Sequence, residues 1–255
     1  MARIRFTVTY DGRHFSGWQV QLGVPTVQES LEKAFFKTLG IHLRVHGSGR
    51  TDAGVHALGQ VCHIEAPATC RIPTEQWPAA INSRLPRSIR VRHAEYVADD
   101  FHARYSASGK TYRYIISTRP ICDPFDCGLT WHVPRPLDLM TMKAGMEAFM
   151  GTHDFKAFAA LRGNEPNPIP EDHFVRTISE ASLTQESGRI ILTFTGTGFL
   201  YKMVRLMTGG IHALGTKRIE LPYFLKLLHT PTHVKSPLCA PADGLYLVRV
   251  YYPQE

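Results

Sequence analysis

The chain has 255 residues, of which 44% are hydrophobic and 20% charged, proportions typical of a folded globular protein rather than a disordered one. Its 29 Lys and Arg residues outnumber its 22 Asp and Glu residues and give a net charge of +7, which favours a polyanion such as RNA as partner. The chain has no apolar run of transmembrane length, and its N-terminus has a strand pattern rather than that of a signal peptide.

The cysteines and histidines indicate neither a disulfide framework nor a metal site. The five cysteines include no C-x-x-C pair, so the spacing of a zinc ribbon is absent. The thirteen histidines are scattered along the chain and include no H-E-x-x-H sequence. We therefore expect reduced thiols in a cytoplasmic protein that binds no metal.

Strand and helix patterns alternate along the first part of the chain. Alternating apolar residues over 4–10 predict a half-buried strand. Thr26 and Glu29 form a capping box for a helix whose apolar stripe ends before Gly40. The patterns that follow predict a strand over 59–65, a helix over 74–85 that Pro78 interrupts early, and a strand over 89–97.

A similar succession begins near residue 108. A strand is predicted over 110–117, with Tyr112 on its more apolar face, and Asp138 begins the next helix. The remaining patterns predict a hairpin of 175–184 and 189–195 around Ser187-Gly188, a helix over 199–214 that ends at Gly215, a helix over 221–229, and a strand over 245–252.

The repeated strand-helix-strand-strand succession predicts an α+β protein of two similar halves. We place the boundary after residue 105. This gives an N-terminal α+β domain over 1–105 and a C-terminal α+β domain over 106–255.

The most informative segment is the glycine-rich run GSGRTDAGVHA, which begins at Gly47. It places Arg50 two residues before Asp52, so both side chains point to the same side where the segment is extended. The guanidinium favours the ionised carboxylate, and a positioned carboxylate can act as a nucleophile on a sugar or base carbon. An Arg–Asp ion pair that braces a turn is the structural alternative. The glycine spacing matches neither a dinucleotide-binding loop nor a P-loop.

Together with motifs elsewhere in the chain, this segment closely resembles the TruA family of tRNA pseudouridine synthases. The shared motifs occur in the family's order along most of the sequence. They are Tyr10-Asp11-Gly12, Phe15-Ser16-Gly17-Trp18-Gln19, Gly59-Gln60-Val61, Phe101-His102-Ala103-Arg104, Lys110-Thr111-Tyr112-Arg113-Tyr114, Gly151-Thr152-His153-Asp154-Phe155, Val175-Arg176-Thr177-Ile178, Met203-Val204-Arg205 and Gly244-Leu245-Tyr246-Leu247.

The resemblance implies an isomerase that converts uridine to pseudouridine in the anticodon stem-loop of tRNA without any metal or redox cofactor. The C1′–N1 glycosidic bond breaks, the uracil turns, and a C1′–C5 bond forms. The resemblance also implies a homodimer. Each chain would have two ferredoxin-like halves whose antiparallel-rich sheets join, with a central RNA-binding cleft.

The functional residues of the family fall on five positions of this chain. Asp52 matches the essential catalytic aspartate. Tyr112 matches a tyrosine that packs on the target base, and Arg205 matches an arginine that pairs with the aspartate. Arg50 matches an arginine that helps to extrude the target nucleotide, and Leu245 matches an apolar residue that lines the base pocket.

Three of these positions also have a structural explanation. Tyr112 suits a sheet aromatic that faces the core, and Leu245 suits an ordinary core residue. Arg205 and Lys202 are three residues apart and suit a solvated basic stripe on a helix.

Two features depart from the family pattern. Ala157 stands where serine is usual, and the Pro- and Asn-rich segment 161–173 has no confident match. We expect this segment to affect local RNA contacts and to become ordered only on RNA, while the catalytic assignment is unaffected.

Two other functions stay open. A non-catalytic RNA-binding module or tRNA chaperone of the same fold would not need Asp52, and a metal-dependent RNA-processing enzyme would be inactivated by chelation. The set of Arg50, Asp52, Tyr112 and Arg205 favours the synthase. In such a synthase Asp52 could act by either of two routes. It could attack C1′ to form a glycosyl ester, or it could deprotonate the sugar to give a glycal-like intermediate.

Overall fold

The computed structural model describes residues 2–67, 70, 72–163, 165–230 and 234–253. The strands are β1 (Ala2–Tyr10), β2 (His46–Gly47), β3 (His56–Ala66), β4 (Ile89–Val97), β5 (Gly109–Ser117), β6 (Trp131–His132), β7 (Gly151–Asp154), β8 (Val175–Glu186), β9 (Arg189–Gly196) and β10 (Leu245–Tyr251). The helices are α1 (Val27–Leu39), α2 (Trp77–Asn82), α3 (Leu139–Ala148), α4 (Met203–Gly215) and α5 (Leu221–His229). None of these helices has the length and apolar character needed to span a membrane.

The chain divides into two compact units. Unit 1 comprises Met1–Ser108 and Tyr246–Glu255, and unit 2 comprises Gly109–Leu245. Both units combine helices with mostly antiparallel strands, which confirms the predicted α+β class. Residues 246–255, which we assigned to the C-terminal domain, group with unit 1 because β10 pairs with β3. The joined sheets and the central cleft stay predictions.

Unit 1 has one sheet, and its hydrophobic core lies between this sheet and the helices α1 and α2. Its strand order is β4-β1-β3-β10, with β1 antiparallel to both neighbours, β10 parallel to β3, and β2 antiparallel to β3. Burial alternates along β1 as predicted. The Phe6 ring of β1 lies 5.1 Å from Phe35 of α1 and 5.5 Å from Trp77 of α2, between ring centroids.

Local signals set both ends of α1. The Thr26 side chain accepts a hydrogen bond from the Glu29 backbone N–H at 3.3 Å, as the capping box predicted. Gly40 ends the helix with φ of 74°, in the left-handed region that favours glycine.

The helix predicted over 74–85 is shorter than expected. A 3₁₀ helix covers Thr74–Gln76, and α2 covers only Trp77–Asn82. Pro78 lies in the first turn of α2. It interrupts nothing there, because the first backbone N–H groups of a helix have no partner within the helix.

Unit 2 is an antiparallel sheet in the order β5-β9-β8-β7, with β6 parallel to β5. The predicted hairpin is confirmed, with Ser187 and Gly188 at φ of 49° and 77° in the turn between β8 and β9. The Phe149 ring, which follows α3, lies 5.3 Å from Phe224 of α5 and 6.3 Å from Phe194 of β9. The core therefore lies between the sheet and the helices.

Helix α4 begins at Met203, four residues later than the apolar pattern predicted. Lys202 has φ of 58°, a left-handed conformation that a right-handed helix cannot contain. The apolar residues at 199–201 therefore precede the helix.

A buried histidine lies in the sheet of unit 1. His63 on β3 is 1% exposed, stacks on His46 with ring centroids 4.9 Å apart, and contacts His102 edge-on at 4.7 Å. Its Nδ1 accepts a hydrogen bond from the Ala103 backbone N–H at 3.1 Å. Burial, reinforced by electrostatic interactions with the neighbouring His102, His46 and Arg3, lowers the pKa of His63 from 6.5 to about 4.

This pKa predicts a loss of stability in mild acid. Between the two values the unfolded chain binds a proton that the folded chain does not, so the stabilisation is complete above pH 6.5 and is lost as the pH falls towards 4. We expect the wild type to lose roughly 3 kcal/mol through this group over that range. Urea unfolding near pH 7 and pH 5 should show a shallower pH dependence for His63→Gln. The exposed-site variant His42→Gln is the control, and equal pH dependence in wild type and His63→Gln would contradict the prediction.

Candidate active site

The loop between β2 and β3 carries the two candidate residues of unit 1. Asp52 is half-buried and Arg50 is exposed. Among the described residues, no ion pair joins Arg50 to Asp52, so the Arg–Asp brace of the structural alternative does not hold this loop.

Buried hydrogen bonds hold the loop instead. The Tyr10 hydroxyl lies 2.8 Å from the hydroxyl of Thr51, the residue that directly precedes Asp52. The Gln60 amide on β3 donates to the Gly49 carbonyl at 3.1 Å and accepts from the Ser48 hydroxyl at 2.7 Å. Burial raises the pKa of Tyr10, so its phenol stays protonated. These bonds fix the backbone on the N-terminal side of Asp52.

The segment after β1 supports the loop through close backbone contact. Trp18 donates its backbone N–H to the Thr51 carbonyl at 3.1 Å. A Cβ on Gly12 would lie 2.2 Å from the Val55 carbonyl oxygen, and one on Gly17, whose φ is 95°, would lie 2.6 Å from the Thr51 carbonyl oxygen. The Tyr-Asp-Gly and Phe-Ser-Gly-Trp motifs therefore form the support for the loop.

Asp11 and His56 form a second contact under the loop. Asp11 caps the 3₁₀ helix at Gly12–His14, and His56 Nδ1 lies 3.4 Å from its carboxylate. Partial burial acts to raise the pKa of Asp11, but hydrogen bonds from Arg13 hold it below its ordinary value. The His56 ring stacks on Tyr246 at 4.6 Å, which ties the start of β3 to β10.

Tyr112 lies on β5 in unit 2. Its side chain is 8% exposed, and its ring contacts Phe199 at 5.0 Å with an interplanar angle of 74°. This edge-to-face contact fixes the plane of the tyrosine ring. Sequence reasoning placed Tyr112 among the candidates but did not identify Phe199, which directly precedes the Leu-Tyr-Lys stretch before α4.

Arg205 lies on α4 and is half-buried rather than part of a solvated stripe. Its Nε donates to the Ala240 carbonyl at 2.7 Å, and its own carbonyl accepts the Ala240 N–H at 3.0 Å. The segment 240–245 is also tied to β5, because the Tyr114 hydroxyl donates to the Pro241 carbonyl at 2.8 Å. Leu245, which is 5% exposed, ends this segment.

The structure therefore sorts the five candidates into two groups. Unit 1 positions Arg50 and Asp52, and unit 2 positions Tyr112, Arg205 and Leu245 around the connections between β5, α4 and the segment 240–245. That the two groups form one site stays a prediction. The described residues contain no cluster of three or more His, Cys, Asp or Glu side chains able to hold a metal ion.

The described residues of segment 161–173 form no helix or strand. Its start is docked near α4, where the Arg162 guanidinium lies 4.4 Å from the centroid of the Tyr201 ring. Ala157, at the position where serine is usual, is buried in the 3₁₀ helix Lys156–Phe158. Ordering of the segment by RNA stays a prediction.

Comparison with known proteins gives matches along most of the chain. A family profile described as tRNA pseudouridine synthase matches residues 7–106 and 146–253. The tRNA pseudouridine synthase A of Akkermansia muciniphila is 58% identical over 256 residues, which cover 100% of this chain and 97% of the relative. The protein of the same name from Latilactobacillus sakei is 42% identical, with 98% of both chains covered. That of Rhodospirillum rubrum is 40% identical, with 100% of this chain and 89% of the relative covered.

The hydroxyl network predicts a local effect of Tyr10→Phe. Removing the phenol oxygen deprives Thr51 of its partner, so we expect a loss of about 1–2 kcal/mol in unfolding free energy. We also expect faster hydrogen exchange at the Trp18 amide, which bonds to the Thr51 carbonyl.

Tyr252→Phe is the matched control, because it also removes one buried hydroxyl, whose acceptor is the Ala103 carbonyl at 2.8 Å rather than a loop residue. It should cost similar global stability and leave exchange at Trp18 unchanged. Equal acceleration at Trp18 in both variants would show that Tyr10 does not hold the loop specifically.

Proposed function

Because the chain belongs to the tRNA pseudouridine synthase family, we propose that it is an isomerase (intramolecular transferase) that converts uridine to pseudouridine in the anticodon stem-loop of tRNA. The observation that carries the proposal is the GRTDAGVHA loop, in which a half-buried Asp52 sits on a backbone fixed by buried hydrogen bonds. A carboxylate held in this way needs little reorganisation before it reacts.

Asp52 acts at the ribose of the target uridine. The C1′–N1 bond breaks, the uracil turns within the site, and C5 bonds to C1′ while its hydrogen leaves as a proton. Substrate and product are isomers, so no oxidant or reductant is consumed. The ester route and the glycal route both use Asp52, and only the glycal route removes the C2′ hydrogen. A primary isotope effect with 2′-deuterated uridine therefore distinguishes the two.

Unit 2 provides the groups that would bind and orient the detached uracil. Tyr112 offers an aromatic face whose orientation is set by Phe199, and base–aromatic stacking is worth about 1–3 kcal/mol. Leu245 provides an apolar wall. Arg205 is anchored through its Nε to the Ala240 carbonyl, and we propose that its guanidinium pairs with Asp52 during the reaction.

Arg50 suits the extrusion of the target nucleotide. Flipping a base out of a helical stem costs a few kcal/mol, because stacking and pairing are lost. Arg50 is exposed, so its guanidinium is accessible to fill the vacated stack and to contact phosphates.

We also propose that the protein is a cytoplasmic homodimer that needs no cofactor. The family resemblance supports the dimer, and the tRNA substrate supports the location. A non-catalytic RNA-binding module of the same fold is not favoured, because the relatives are named as synthases. The net charge of +7 fits RNA binding with or without catalysis.

The proposal predicts that Asp52→Asn abolishes turnover. With tRNA transcripts that carry [5-³H]uridine and with EDTA present, we expect wild type to release tritium and Asp52→Asn to do so slower by roughly 10³-fold or more. The control is Asp99→Asn, which changes an exposed carboxylate of unit 1 outside the loop and should leave release unchanged. Binding of tRNA by wild type without any tritium release would instead support the binding module.

A further inference from the structure

An exposed aromatic residue lies on unit 1, away from the catalytic loop. Tyr105 is 77% exposed, the ring centroids of Tyr105 and His102 are 4.4 Å apart, and their planes are within 32°. His102 in turn contacts His63 and His46, with ring centroids 4.7 and 5.6 Å away. We call these four residues, Tyr105, His102, His63 and His46, the Tyr105 platform.

Backbone hydrogen bonds make the base of the platform rigid. His102 Nδ1 accepts from the backbone N–H groups of Arg104 and Tyr105, at 3.1 and 3.3 Å. His63 is buried and accepts from the Ala103 N–H on the same turn. The Tyr105 ring is therefore presented from a fixed turn, so little conformational freedom is lost when another ring stacks on it.

The charge around the platform suits a polyanion. The exposed Arg104 guanidinium lies 5.7 Å from the centroid of the Tyr105 ring. Glu65, a carboxylate of β3 whose charge acts on His63 and His102, forms an ion pair with Arg3. Burial, together with nearby positive charge, lowers the pKa values of His63 and His102, so both rings stay neutral near pH 7 and the cation is Arg104.

The platform lies outside the catalytic loop. The loop is bonded to Gln60 of β3, whereas His63 lies three residues further along that strand, with its side chain on the opposite face. At ~3.3 Å per residue the two positions are about 10 Å apart along the strand. We therefore expect Tyr105 to contact a nucleotide other than the target uridine at Asp52.

We propose that Tyr105 stacks an unpaired base of the tRNA outside the catalytic site, with His102 behind it and Arg104 on the adjacent phosphate. This combination of an aromatic face and a neighbouring arginine is typical of sequence-tolerant contacts to unpaired nucleotides. The inference rests on the proposed function, because the partner is the tRNA substrate of that site.

The test compares Tyr105→Ala and Tyr105→Phe with wild type, using an unmodified tRNA transcript for Kd and tritium release for kcat and KM. We expect Tyr105→Ala to raise Kd and KM roughly fivefold or more with kcat unchanged, the lower end of what one stacked base contributes. Tyr105→Phe keeps the ring and should bind within about twofold of wild type. Tyr223→Ala, at an exposed tyrosine on α5 of unit 2, should match wild type.

Wild-type affinity in Tyr105→Ala would overturn the proposal, and so would equal losses in the Ala and Phe variants. A sedimenting mass of Tyr105→Ala that differs from that of wild type in the absence of RNA would also overturn the proposal. It would show that the Tyr105 platform contacts a second copy of the chain. The proposed function fails separately, if wild type releases no tritium. Cross-linking through Tyr105→p-benzoylphenylalanine should label a tRNA nucleotide other than the target uridine, and labelling of none would contradict the contact.

Discussion

The hydrogen bond between the Tyr10 and Thr51 hydroxyls is the interaction on which the candidate site depends. It joins the end of β1 to the residue directly before Asp52, 41 positions along the chain, and it is buried. Gln60 completes the network from β3. The loop is glycine-rich and would have many conformations by itself. The cost of leaving these buried polar groups without partners restricts it to one conformation.

In unit 2, hydrogen bonds from side chains to backbone carbonyls hold an irregular segment in place. The segment 240–245 has no helix or strand before Leu245, yet it is bonded to α4 through Arg205 and to β5 through Tyr114. The side chain of Arg205 is thus both an anchor of this segment and a candidate for the site. Tyr112 is oriented by Phe199 in the same unit. In unit 1 the candidate Asp52, and in unit 2 the candidate Tyr112, are therefore held by residues outside the five candidate positions.

Local signals predicted much of the fold. Thr26, Glu29 and Gly40 set the ends of α1, and Ser187-Gly188 set the β8–β9 hairpin, because each depends on backbone groups only a few residues away. Two features were not predictable in this way. The start of α4 was misplaced because Lys202 adopts a left-handed conformation that no local pattern indicated. The place of β10 in unit 1 depends on its pairing with β3, far away in the sequence.

The amino-acid sequence by itself determined the candidate site residues, because Asp52, Arg50, Tyr112, Arg205 and Leu245 stand in motifs that can be recognised without coordinates. Only the tertiary structure decided what supports them. The contacts of Tyr10 with Thr51, Phe199 with Tyr112, and Ala240 with Arg205 join residues 35 or more positions apart. No periodicity or short motif encodes such pairs, since they form only when packed elements bring distant side chains within hydrogen-bond or van der Waals distance.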